Sequence, residues 1–200
     1  MNTEEFLKKL EIELKIIKHS KNTNRNYLRV NKELLDLVKK TPEDVKQEDI
    51  KFFIAEKLAN KSSSTYIQSL AAIRFAYTNI LDKDPTLKVN RPKKEKKIPT
   101  VLTVEETFRL INAPKNRKSR LMLNVLYATG MRVSELVNLK KQDLYFEENM
   151  GIIRQAKGKK DRQFRIPEHL KKELEEFCNL TPSDYVFCGK KGKLTTRNIH

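Results

Sequence analysis

Apolar residues recur with helical spacing through the first part of the chain and give way to strand-like alternation only after residue 142. Phe6, Leu7, Leu10, Ile12, Leu14, Ile16 and Ile17 predict a helix over 3–17, with Thr3 as its cap. Asn22 and Thr23 are placed to cap a longer helix carrying Tyr27, Leu28, Val30, Leu34, Leu35, Leu37 and Val38. Thr41-Pro42-Glu43-Asp44 is a helix-start signal with proline at the first helical position, and it leads through a short turn into a helix over 49–59. Ser62 to Ser64 cap the last of the set, in which Ile67, Leu70, Ala71, Ile73, Phe75, Ala76 and Ile80 are expected to be buried. Residues 1–84 therefore read as an all-helical domain of four or five helices.

Residues 100–200 read differently. Thr103 and Glu106 have the capping-box spacing, and Phe108, Leu110 and Ile111 follow on one helix until Pro114 ends it. Leu121 to Ala128 is almost wholly apolar and predicts a buried helix, in which Tyr127 packs into the core; Tyr145 is expected to do the same in the following sheet. Gly130 breaks this helix, and Val133, Leu136, Val137 and Leu139 give the next one an inward face. The runs 143–146, 152–155 and 162–167 alternate between polar turns, as in a three-stranded antiparallel meander. A helix over 168–180, an extended Tyr185-Val186-Phe187 and a final cap at Thr195 or Thr196 complete the pattern. The fold class is mainly α with a small antiparallel sheet. Residues 85–99, rich in proline and lysine, are the expected linker.

Charge narrows the range of partners. The formal net charge is +16, and the excess is concentrated in residues 51–100 and 151–200. Clustered positive charge favours a polyanion, because each neutralised phosphate releases condensed counterions. A general basic nucleic-acid-binding protein satisfies this observation alone. Cys178 and Cys188 form no C-x-x-C pair and the three histidines are scattered, so neither a metal site nor a disulfide framework is indicated. No segment is long and apolar enough to span a bilayer, and residues 1–10 are too charged for a signal peptide; a cytoplasmic protein without membrane or small-molecule ligand is expected.

The most informative stretch is Ala128-Thr129-Gly130-Met131-Arg132-Val133-Ser134-Glu135-Leu136. An arginine set between two apolar helices is held rather than mobile. It either pairs with an acid such as Glu135 or faces a phosphate or carboxylate. Downstream, Lys157, Lys159 and Lys160 surround Gly158 in the second turn of the meander.

In these segments the chain resembles the tyrosine recombinases, also called the phage integrase family, and within it the Xer-like branch. ATGMRVSELVNL resembles the box with the first catalytic arginine, which falls on Arg132, and AKGKKDRQFRIP resembles the hairpin with the catalytic lysine, which falls on Lys157. Lys18 to Thr23, with Arg25 and Tyr27, resembles the opening of the family's helical, SAM-like core-binding domain. The resemblance implies a DNA phosphodiester attacked by tyrosine, with no metal or nucleotide cofactor. Arg132 would stabilise the phosphorane-like transition state and Lys157 would protonate the departing 5′-oxygen. Glu135 either orients Arg132 or serves its helix.

The same resemblance implies double-stranded DNA as partner, clamped between two domains, and further protomers assembled on it. Arg91, Lys93, Lys94, Lys96 and Lys97 of the linker, and Lys159, Lys160 and Arg162 of the meander, are expected to meet the DNA backbone. Asn22, Thr23, Arg25, Tyr27, Ser64, Thr65, Gln68 and Arg74 lie at or along two helix openings that offer N–H groups and hydroxyls to phosphates, or else simply cap helices. The family's His-x-x-Arg box and nucleophilic tyrosine match nothing in this sequence, and none of its six tyrosines corresponds. They are expected beyond residue 200, which leaves a catalytically inactive DNA-binding product as the alternative.

Overall fold

A computed structural model describes residues 1–93, 98–154, 161–189 and 192–199. The chain divides into two compact units, Met1–Ile98 and Pro99–His200. Lys94, Lys96, Lys97, Lys157, Lys159 and Lys160 lie outside the described residues.

The first unit contains α1 (Thr3–Ile16), α2 (Lys21–Val38), α3 (Gln47–Phe53) and α4 (Ser63–Leu81). Its caps differ from expectation by one to three residues. A capping residue must be extended with its side chain turned back onto the first turn, and Asn2 and Ser20 meet that requirement where Thr3, Asn22 and Thr23 are already helical. Asn2 Oδ1 accepts from the Glu5 N–H at 2.8 Å, and Ser20 Oγ from the Thr23 N–H at 3.1 Å. Ser62 caps α4 in the same way. Pro42–Asp44 is a single 3₁₀ turn, and α3 runs on into a π-helical segment, Ile54–Leu58.

Phe6, Leu10 and Leu14 of α1, Leu34 of α2, Ile50 and Phe53 of α3, and Ile73 and Tyr77 of α4 are fully buried together. Asn31 is buried among them. Its Nδ2 donates to the Tyr27 carbonyl at 2.9 Å and to the Ala72 carbonyl at 3.1 Å, joining α2 to α4. The expected linker begins inside this unit: Thr86 is buried, its N–H and hydroxyl both donate to Asp84 Oδ1, and the Tyr66 hydroxyl donates to the Asn90 carbonyl at 2.9 Å.

The second unit contains α5 (Val104–Asn112), α6 (Arg117–Thr129), α7 (Val133–Leu136), β1 (Leu144–Tyr145), β2 (Met150–Ile153), β3 (Arg162–Arg165), α8 (Glu168–Leu180), β4 (Cys188–Gly189) and β5 (Gly192–Lys193). β1, β2 and β3 form the expected antiparallel meander, with Gly151 opposite Phe164 and Ile153 opposite Arg162. The Phe164 ring occupies the space a side chain at 151 would need; an added Cβ would lie 2.3 Å from it. Leu121, Leu136, Phe164, Leu174 and Phe187 share the core beneath the sheet. The Thr103–Glu106 capping box forms as expected. Tyr127 and Tyr145 do not pack as expected, being 67% and 38% exposed. Although Leu121 to Ala128 is nearly all apolar, its helix buries one side only.

Candidate functional site

Gly130 ends α6 in the left-handed region, at φ 60°, and its N–H donates to the Leu126 carbonyl at 3.0 Å. A residue with a Cβ is strained in that conformation, which explains glycine at this turn. The turn buries Met131 and leaves Arg132 extended as the residue that starts α7.

Glu135 then collects three donors. Its Oε2 accepts from the Arg132 N–H and from Arg162 Nη2, and its Oε1 from Arg132 Nη1, each at 2.8 Å. The Glu135 side chain is 6% exposed, whereas those of Arg132 and Arg162 are 56% and 38% exposed. Burial alone would raise the Glu135 carboxyl, but the Arg132 N–H and the Arg162 and Arg132 guanidiniums outweigh it and hold the group below the ordinary carboxylate value. A buried anion therefore fixes two guanidiniums that still face solvent. Each has five N–H donors, so anchoring to Glu135 leaves the chemistry of anion binding intact.

Arg162 opens β3, and by sequence Lys157 lies in the segment joining β2 to β3. The structure thus joins the Arg132 turn to the foot of that hairpin, thirty residues apart in sequence, through one carboxylate. A residue passed over in the sequence, Arg154, stands at the other foot; its Nε donates to Asp143 Oδ1 at 2.6 Å. Its signal was the continued alternation after Ile152, which leaves residue 154 outside the core.

In the first unit, Asn22, Thr23, Tyr27 and Gln68 line one cleft of about 340 Å³ together with Asn26, which sequence reasoning missed although it follows Asn22 by one helical turn. Tyr27 stands edge-on to Phe75, with ring centres 5.5 Å apart. The other expected contacts do not join this cleft. Arg25 and Ser64 are exposed elsewhere, Thr65 is hydrogen-bonded to Ser62, and Arg74 pairs with Asp84 at 3.1 Å. Arg91 lines a second cleft of about 450 Å³ with Lys61, Ser63 and Tyr66, and Lys93 is exposed.

A family model for the phage integrase family matches residues 100–199, and one for the phage integrase N-terminal SAM-like domain matches residues 6–86. The chain belongs to the phage integrase family. Its relatives put it on the Xer-like branch of the tyrosine recombinases. The tyrosine recombinase XerA of Pyrococcus furiosus is 35% identical over 199 residues, covering 95% of this chain and 65% of that protein. XerA of Thermococcus kodakarensis is 35% identical over 149 residues, covering 70% of this chain and 52% of that protein. An integrase/recombinase of Escherichia coli is 40% identical over 124 residues, 60% and 36% of the two chains. The chain spans about half the length of the curated relatives it matches. Among solved structures, a lambda integrase tetramer bound to a Holliday junction superposes with a TM-score of 0.82 at 15% identity, covering 100% of this chain and 63% of that one, a likeness of fold.

Proposed function

We propose that this integrase-family chain binds duplex DNA and supplies the arginine and lysine part of a site for site-specific strand exchange. The observation that carries this reading is the shared Glu135 carboxylate, which ties Arg132 to the foot of the Lys157 hairpin while both guanidiniums remain open to solvent. Arg132 grips the scissile phosphate and stabilises charge on its non-bridging oxygens as they become more negative. A tyrosine hydroxyl attacks phosphorus and releases its proton to solvent, the bond to the 5′-oxygen breaks, and Lys157 gives that oxygen its proton. The 3′-phosphotyrosyl bond is later broken by a 5′-hydroxyl, which restores a phosphodiester and frees the tyrosine. Glu135 is a positioning residue for Arg132. The clefts lined by Asn22, Thr23, Tyr27 and Gln68 and by Arg91 hold the DNA backbone, and further protomers assemble on the same DNA.

The nucleophile is assigned to none of the six tyrosines of this sequence. Residues 1–200 are therefore expected to bind a labelled duplex in a fluorescence-anisotropy titration at low salt and to form no covalent adduct with a nicked suicide duplex. Absence of binding defeats the DNA-binding reading. An adduct that survives denaturation defeats the exclusion of these tyrosines. When a tyrosine-bearing carboxy-terminal segment of a related recombinase is supplied in trans and restores cleavage, Arg132→Ala and Lys157→Ala should each remove most of the restored activity.

A further inference from the structure

Arg154 directly follows β2 and lines a cleft of about 440 Å³ with Ile152, Asp161, Arg162 and Gln163. Its ion pair is lopsided: the Asp143 side chain is 5% exposed and that of Arg154 is 52% exposed. The buried Asp143 carboxylate needs a partner, and one edge of the guanidinium meets that need while half of the arginine stays in solvent. The pair therefore also works as a mount. The buried carboxylate holds Nε at 2.6 Å, and the Nη1–Nη2 end of the fork lies outside that hydrogen bond. A planar fork held at one edge suits a phosphate better than a freely rotating lysine does, because less side-chain freedom is lost on binding. By sequence, Lys157, Lys159 and Lys160 stand between Arg154 and Arg162.

We infer that Arg154 is an additional contact to a DNA phosphate, positioned by Asp143 as Arg132 is positioned by Glu135. The inference rests on the DNA-binding reading above. It concerns affinity and orientation, since a phosphate contact carries no base-sequence information.

The test is an anisotropy titration of the full chain on one labelled duplex at several salt concentrations between about 50 and 200 mM. Arg154→Gln should make the slope of log K against log salt shallower by about 0.9, the loss of one phosphate contact. Arg154→Lys keeps the charge and should keep the slope, yet bind about threefold more weakly for want of the anchored fork. Asp143→Asn removes a negative charge, which on charge alone would tighten binding; loss of the mount predicts weaker binding instead. Circular dichroism establishes that each variant is folded, and should Arg154→Gln fail to fold, Arg154→Lys and Asp143→Asn decide. A wild-type slope in Arg154→Gln, wild-type affinity in Arg154→Lys or tighter binding by Asp143→Asn overturns the inference while leaving the DNA-binding reading in place. Failure of the wild-type chain to bind overturns both.

Discussion

Glu135 does three things that are normally separate: it caps a helix, it neutralises two cations, and it joins residues thirty positions apart. Its folded pKa is lowered, so its contribution to stability is complete above the ordinary glutamate value of about 4.3 and is lost as pH falls through the lower folded value. Glu135→Gln should flatten that part of the acid limb in urea unfolding and cost about 1 kcal/mol at neutral pH; an unchanged limb would contradict the bridge. Two glycines nearby are constrained for different reasons. Gly130→Ala meets no neighbour but must hold φ 60°, at a cost of about 1–2 kcal/mol. Gly151→Ala has an ordinary backbone but meets the Phe164 ring, and should cost about 1–3 kcal/mol through displaced packing. Arg132 was legible in the sequence because a glycine break between apolar runs is a local signal. The Arg154–Asp143 pair was not, since the two lie eleven positions apart and meet only through strand register.

Helices reveal a difference between having an apolar side and burying it. α5 has the expected cap and spacing, yet contains no buried residue; Val104 is 79% and Phe108 69% exposed. α8 has a similar pattern and buries Leu170, Leu174 and Cys178. Periodicity identifies a face but not what covers it, which is why both helices were legible and only one contributes visibly to the core. Phe108→Ser should therefore change stability by no more than about 0.5 kcal/mol, whereas Leu174→Ala should cost about 2–5 kcal/mol, both read from urea midpoints. A large loss from Phe108→Ser would show that α5 is covered in solution. Capping positions were the least legible feature. Asn2 and Ser20 compete with suitable neighbours, and the choice is made by which residue the packed helix leaves extended.

Each unit of the molecule has its own core, and among the described residues that of the first is built from side chains between Met1 and Val89. Residues 1–98 expressed alone are accordingly expected to be helical by circular dichroism and to unfold cooperatively in urea; a gradual, featureless loss of helicity would count against an autonomous unit. A change in periodicity is a sequence signal for two parts, whereas proline and lysine announce a linker even where Thr86 is buried and Val89 packs onto the helices. The bridge at Glu135 also bears on how the second unit assembles. A chain emerging from synthesis has the Arg132 turn well before residue 162, but it lacks the second guanidinium that holds the carboxylate in place. Docking of β3 adds the third hydrogen bond to Glu135, so a chain without the meander keeps the local Arg132–Glu135 pair and lacks the tie between the two arginines.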